Sequence, residues 1–205
     1  MIEDCTALIL AGGNSQRMGR DKANLLLGEQ TLLQRVAAVM RQVFPVVVVS
    51  VRQPRPEIDL PQVCDDPSSA GPLAGLAAGL GCATTPWVFA VACDMPFLVQ
   101  PVIERLAQRR AGYQAVVPVV QGHPQPLAAF YATSCLDAIR KNLAGGGRNS
   151  LRAVLEQLNV CYVAEAEMLA ADPGLRSFFD LDTPQDVAQA ERGQHMEQPD
   201  KKPAP

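Results

Sequence analysis

At 205 residues the chain has the length of one domain with a sizeable core. A hydrophobic content of 48% against 19% charged residues is that of a globular body, and a net charge of −3 excludes broad electrostatic attraction to nucleic acid or to an anionic membrane. The acidic start Met1-Ile2-Glu3-Asp4 and the want of any apolar run near the roughly 20 residues of a membrane span point away from a signal peptide and a spanning helix, so a cytoplasmic address is expected.

In chain order, short apolar runs rich in β-branched residues predict strands at 6–10, 46–51, 87–92, 115–119 and 127–131, with a shorter one at 161–164. Helical patterns alternate with them at 32–43, 73–82, 100–110, 135–143 and 150–158, and a helix over 184–190 closes the fold. In the first of these, Leu32, Val36, Met40 and Val43 fall on one face. Alternating β and α units predict an α/β fold with a mainly parallel central sheet covered on both faces. Residues 1–192 are expected to form a single domain. The stretch 193–205 is polar, charged and proline-rich, and reads as a disordered tail in which His195 carries no weight as a ligand.

Six cysteines (Cys5, Cys64, Cys82, Cys93, Cys135, Cys161) are scattered without a C-x-x-C pair, and there are two histidines, so a structural zinc site is not expected. They read as small hydrophobes of a reducing compartment.

Chemistry concentrates in the loops that follow strands, the side of an open α/β sheet where ligands bind. The run Leu8-Ile9-Leu10-Ala11-Gly12-Gly13-Asn14-Ser15-Gln16-Arg17-Met18-Gly19-Arg20-Asp21-Lys22 takes an apolar strand into a glycine-rich loop with cations. Such a backbone brings N–H groups against an anion while Arg17 and Lys22 neutralise polyphosphate charge. It matches neither G-x-G-x-x-G nor G-x-x-x-x-G-K-[ST], because Gly12 and Gly13 are adjacent and Ala23 follows Lys22. The plain alternative for Lys22 is a surface ion pair with Asp21.

Asp94 is delivered at the mouth of the buried strand 87–92. A carboxylate there needs a partner, and a hard divalent cation held with substrate phosphates supplies one. The alternative is a cap for the helix near Gln100 or a brace for the turn before Pro96. Asp65-Asp66 and the glycines Gly71, Gly75 and Gly79 are either a helix entry with close packing or a base-reading acid beside a ligand. The segments Gly122-His123-Pro124-Gln125-Pro126 and Gly145-Gly146-Gly147-Arg148-Asn149-Ser150 are either ordinary loops or, for the second, a contact to another anionic substrate. Asp180-Leu181-Asp182-Thr183-Pro184 reads as a turn and helix start, with Thr183 as the cap. Neither a serine nucleophile elbow nor a protease cysteine signature is present. Positioning and charge neutralisation can carry phosphoryl or nucleotidyl transfer without a protein nucleophile.

Together, LAGGNSQRMGRDKA, GPLAG at 71–75, CDMP at 93–96, QPL at 125–127 and FFDLDTPQD at 178–186 closely resemble the molybdenum cofactor guanylyltransferases, the MobA family, within the Rossmann-like nucleotidyltransferases. The resemblance implies a three-layer fold and transfer of GMP from GTP to molybdopterin-bound molybdenum, giving molybdopterin guanine dinucleotide and pyrophosphate with Mg²⁺. By position it makes Leu10, Ala11, Gly12 and Gly13 the GTP loop, Lys22 the phosphate-neutralising lysine, Asp66 the guanine-side acid and Asp94 the metal ligand facing GTP. Arg52 falls where some relatives have asparagine, as a base or ribose contact, and Asp180 and Asp182 stand where relatives often carry asparagine. Lys22, Arg17 and Asp94 are then the catalytic set, and the partners beyond GTP and molybdopterin are cofactor-insertion proteins and molybdoenzymes. Competing readings are a cytidylyltransferase for the same cofactor, a sugar-phosphate or isoprenoid-precursor enzyme, and a non-catalytic protein that binds nucleotide or cofactor for delivery. The double glycine favours the guanylyl reading, since cytidylyl relatives usually resemble LAAG there.

Overall fold

The computed structural model describes residues 1–12, 22–66, 69, 71–145, 150–181, 185–188 and 190. In chain order the elements are β1 (Cys5–Leu10), β2 (Leu26–Leu27), β3 (Gln30–Thr31), α1 (Leu32–Val43), β4 (Val46–Val51), β5 (Gln62–Cys64), α2 (Pro72–Cys82), β6 (Trp87–Ala92), α3 (Gln100–Ala107), β7 (Ala115–Val120), β8 (His123–Pro124), β9 (Ala128–Ala132), α4 (Leu136–Ala144), α5 (Leu151–Leu155), β10 (Val160–Val163) and α6 (Glu165–Ala171). Among the described residues, no helix is long and apolar enough to cross a membrane.

Eight of these strands form one sheet in the order β10-β7-β9-β6-β1-β4-β5, with β8 hairpinned onto β7. β1 runs parallel to both β4 and β6, β4 to β5, and β7 to β10, whereas β9 is antiparallel to β6 and β7. The expectation of a mainly parallel sheet is met. Side chains alternate across it. Ala7 and Ile9 pack with α1, α3 and α6 on one face, while Leu8 and Leu10 pack with α2, α4 and α5 on the other. A strand buried on both faces has no polar side to show, which is why β1, β4 and β6 read as apolar runs interrupted only by Thr6 and Ser50. On the first face Phe89 lies between Phe44 and Phe130, with ring centroids 5.5 and 4.8 Å away.

Helix starts follow local chemistry. Thr31 and Gln34 close a capping box ahead of α1: the Gln34 N–H donates to Thr31 Oγ1 at 3.1 Å and the Thr31 N–H to Gln34 Oε1 at 2.8 Å. α2 begins with Gly71 at φ 85° followed by Pro72, a left-handed entry that suits glycine and a first helical position that suits proline.

Several boundaries differ from expectation. α3 ends at Ala107 and α5 at Leu155, each closing into turns where a longer helix is predicted from the pattern. β5 and α6 were not anticipated: β5 has three half-buried or exposed residues, and α6 buries only Met168. The closing helix is present over 185–188 and at 190; Thr183, Pro184 and the 193–205 tail lie outside the described residues.

The topology fixes where a ligand can go. From β1 the chain steps outward through β4 and β5, then returns through α2 to β6 on the other flank of β1. The connections leaving β1 and its neighbours therefore part at the carboxyl ends of β1, β4 and β6, leaving a crevice there.

Candidate active site

The crevice has a volume of about 230 Å³. Leu10, Ala11 and Gly12 leave β1 along one wall, tied down where the Ala11 N–H donates to the Ser50 carbonyl at 3.0 Å and the Cys93 N–H to the Leu10 carbonyl at 3.2 Å. Ala92, Cys93 and Asp94 leave β6 along another. Leu127 closes that side, its carbonyl accepting from the Ala92 N–H at 3.1 Å.

Lys22 and Asp94, seventy-two positions apart, meet across the opening: Lys22 Nζ donates to Asp94 Oδ2 at 2.9 Å, with both side chains partly buried. The lysine is thus engaged with a carboxylate brought in by the fold. Asp94 is not a helix cap, since Val99 occupies that position of α3 and no side chain caps it. The Leu181 N–H donates to the Asp94 carbonyl at 3.0 Å, which fastens the chain after Phe179 to the acid-bearing loop.

The floor carries a second carboxylate. Asp65 is 6% exposed, and its Oδ1 accepts from Ser50 Oγ at 2.6 Å. Burial pushes the Asp65 carboxyl above its ordinary range, partly opposed by the Ser50 hydroxyl and by the charge of Arg52. Two glycines make room for this pair. A Cβ on Gly12 would stand 2.9 Å from Asp65 Oδ2, and one on Gly75 would stand 2.5 Å from Ser50 Oγ and 2.6 Å from Leu10 Cδ2. Gly75 thus makes room for Ser50 and Leu10 beside Asp65, whereas Gly79 makes room for Leu8 of the core.

Leu10, Ala11, Gly12, Lys22 and Asp94 therefore share one crevice, as expected. Arg52 and Asp66 are exposed and line, with Asp65, Ser69 and Arg140, a broader groove that adjoins the crevice at Asp65, and Arg52 also stands beside Gly12, where a Cβ would lie 3.4 Å from Arg52 Cγ. Gly13 and Arg17 lie outside the described residues, as do 146–149 of the triple-glycine turn and Asp182.

Residues 7–161 match the MobA-like NTP transferase domain family. A probable molybdenum cofactor guanylyltransferase of Pelotomaculum thermopropionicum is 35% identical over 90% of this chain and 91% of its own. The molybdenum cofactor guanylyltransferase of Desulfosudis oleivorans is 34% identical over 93% and 96%. The chain belongs to the molybdenum cofactor guanylyltransferases. Among solved structures, molybdopterin-guanine dinucleotide biosynthesis protein A from Archaeoglobus fulgidus superposes with a TM-score of 0.82 at 28% identity, covering 93% of this chain and 99% of that one. The 2-C-methyl-D-erythritol 4-phosphate cytidylyltransferase of Thermus thermophilus, at TM-score 0.68 and 20% identity over 92% and 98%, shares the fold alone.

The Asp94 carboxylate offers oxygen donors of the kind a hard cation takes, and among the described residues no cluster of three His, Cys, Asp or Glu side chains stands by it. Sequence reasoning singled out Asp66 and passed over Ser50, which with Asp65 lines the crevice. The signal for Ser50 was a lone hydroxyl in the run Val46-Val47-Val48-Val49-Ser50-Val51, a residue without a reason in a strand buried on both faces.

It also missed a second hollow, of about 730 Å³, on the far side of the Asp94 loop. Phe97, Phe178, Phe179, Arg176, His123 and Gln125 line it, and the Arg176 guanidinium stands 5.0 Å over the Phe97 ring. Gln121 and Leu175, also in its wall, hold left-handed φ values of 51 and 50°.

Proposed function

We propose that the chain transfers GMP from GTP to the molybdopterin-bound molybdenum cofactor, forming molybdopterin guanine dinucleotide and pyrophosphate, with GTP in the crevice at the ends of β1, β4 and β6. The observation that carries this reading is the meeting of Lys22 and Asp94 at 2.9 Å over a glycine-walled cleft, in a chain of this family.

An oxygen of the acceptor's terminal phosphate attacks the α-phosphorus of GTP in line. The new P–O bond forms as the α–β bridging P–O bond breaks, and that bridging oxygen leaves on pyrophosphate with its electron pair. The attacking phosphate is already anionic at neutral pH, so no strong general base is needed. Asp94 is the residue that would hold Mg²⁺, which supplies charge neutralisation on the phosphate oxygens. Lys22 gives up its ion pair with Asp94 and turns its ammonium to the polyphosphate. Arg17 and the N–H groups of Gly12 and Gly13 add donors to the same charge. The acceptor approaches from the second hollow, whose aromatic and amide side chains suit a flat, polar-edged heterocycle, so that Asp94 stands between the two substrates.

Calorimetric binding of GTP, CTP, ATP and UTP with Mg²⁺ tests the nucleotide, and pyrophosphate release with the pterin acceptor tests turnover. Selective GTP binding with release is expected, and Asp94→Asn should lower the rate by roughly 10²–10³-fold. A preference for CTP would make the chain a cytidylyltransferase. GTP binding with no pyrophosphate under any acceptor would make it a delivery protein.

A further inference from the structure

The loop that carries Asp94 is fastened at both ends by a segment from far along the chain. It runs from Cys93, after β6, to Val99, the N-cap of α3. In a capping box the side chain three positions past the N-cap returns to the N-cap N–H, but here that residue is Val102, which has nothing to offer. Ser177 supplies the acceptor instead: the Val99 N–H donates to Ser177 Oγ at 3.3 Å across 78 positions. Ser177 is fully buried, and its own N–H donates to Asp172 Oδ2 at 2.7 Å, which aims the hydroxyl.

The same segment then returns to the head of the loop, where the Leu181 N–H donates to the Asp94 carbonyl at 3.0 Å. The Leu181 side chain is fully buried with Leu27 and Leu32, and Leu25 and Phe97 pack against that cluster. Leu25 follows Lys22 closely, its N–H donating to the Lys22 carbonyl at 3.0 Å, and Phe97 follows Asp94 in the same loop. One small apolar cluster therefore grips the chain beside each member of the ion pair. The strap enters from Leu175 at φ 50°, a left-handed backbone that a leucine holds at a cost and only where its surroundings fix it. Yet no residue of 175–181 lines the crevice. A buried hydroxyl, a strained leucine and a separate apolar cluster thus converge on a segment whose contact with the site is through the Asp94 loop.

We infer that the strap 175–181 sets where the Asp94 carboxylate stands, with Ser177 and Leu181 as positioning residues that act through the Asp94 loop on the transfer step. This rests on the reading that Asp94 acts at the reacting phosphates. Such a role is demanding, because a catalytic group displaced by about 1 Å can lose on the order of 10²-fold in rate.

The test is steady-state GMP transfer by S177A, L181A and L181M, with S177A made also in a D94N background. I139A, a cavity in the cluster on the other face of the sheet, is the control. S177A and L181A should each lower kcat roughly tenfold with KM for GTP within about twofold of wild type, since the crevice lining is untouched. L181M, close to leucine in volume, should recover most of the rate. I139A should lose at least as much Tm and keep kcat within about twofold of wild type. In D94N, S177A should cost less than about twofold more, because the carboxylate it places is already gone. Amide exchange at Val99 should rise in S177A while that of β6 is unchanged.

If S177A slows D94N by the same factor as it slows wild type, the strap is only part of the core, and that outcome overturns the inference. An equal loss of kcat in I139A does the same, as do wild-type rates in both S177A and L181A beside a slow D94N. Should L181A fail to fold by circular dichroism, S177A, which removes a single oxygen atom, decides. A D94N chain as fast as wild type, or a wild type that transfers no GMP, overturns the reading of Asp94 and this inference with it. Either is visible before any strap variant is compared.

Discussion

Three glycines on α2 differ only in what a methyl group would meet, so alanine substitutions separate core packing from site geometry. In a helix interior alanine is favoured over glycine by about 1 kcal/mol. At Gly81 the added Cβ finds Arg140 Nη2 at 3.6 Å and Leu136 Cδ2 at 4.0 Å, ordinary contacts, so G81A should stabilise by about 0.5–1 kcal/mol. For a chain of this size that raises Tm by about 1–4 °C. At Gly79 the three nearest atoms all belong to Leu8 and lie within 3.0 Å, and overpacking of that kind costs about 1–3 kcal/mol, which exceeds or cancels the propensity gain. G79A should therefore lower Tm by up to several degrees while leaving GTP affinity within twofold or so of wild type. At Gly75 the methyl group strikes Ser50 Oγ at 2.5 Å and Leu10 Cδ2 at 2.6 Å, so Ser50 must leave Asp65. The overpacking term is then joined by about 1–3 kcal/mol for a buried carboxylate without its donor. G75A should be the least stable of the three, and the one whose GTP affinity falls tenfold or more, about 1.4 kcal/mol. Scanning calorimetry gives the stabilities and titration calorimetry the affinities. A Tm for G75A that rises as G81A does, or a loss of GTP affinity in G79A equal to that in G75A, would refute the reasoning.

Lys22→Met should weaken Mg²⁺·GTP binding by roughly 10–100-fold, since a charge-assisted contact to phosphate is worth about 1.5–3 kcal/mol; unchanged affinity in titration calorimetry would remove Lys22 from the site. For Asp65 the raised carboxyl pKa means that the folded state holds the proton more tightly than the unfolded chain. Its contribution to stability is complete below the ordinary carboxylate value of about 4 and is lost as pH rises through the higher native value, so wild-type stability relative to D65N should fall with pH across that window. Urea unfolding at a series of pH values measures the difference, and a flat or rising one contradicts the assignment. Burial pushes the Cys135 thiol up to about 12 and raises the Cys5 thiol as well, while Cys64 and Cys82 are exposed. A disulfide reagent at neutral pH should therefore label Cys64 and Cys82 in the native protein and reach Cys5 and Cys135 only on unfolding; mass spectrometry of the early adducts checks it.

The sequence was most legible where burial is symmetric. β1, β4 and β6 each announce themselves as runs of apolar residues because both faces are covered, and α1 by one apolar face with a capping pair ahead of it. β5 and α6 lie at the margins, where few side chains are buried and the periodic signal is correspondingly thin. At the site, Gly12 and Asp94 were readable because glycine and acid each follow a strand end, and Lys22 because it follows the glycine-rich run in the sequence. The choice between Asp65 and Asp66 was not. Successive side chains past a strand diverge, and which one turns inward is set by the Asp65–Val51 backbone hydrogen bond and by Ser50, contacts made with a neighbouring strand. The second hollow was illegible for the same reason, since it joins the 121–125 hairpin to residues 174–179, which meet only in the folded chain.

β9 enters the sheet from the end at which β1 and β6 leave it. The chain therefore reaches the ligand side there through the hairpin over 121–127, with no helix in the connection. Residues inserted at its 121–122 turn leave β7 and β9 in register with each other, because those strands pair through Ala115–Tyr131 and Val116–Phe130. On the proposal that the acceptor lies in the second hollow, this turn can vary in length and charge while Leu127, at the other end of the hairpin, stays in the crevice wall. Chimaeras that exchange only this turn between relatives would then test acceptor preference without rebuilding the fold.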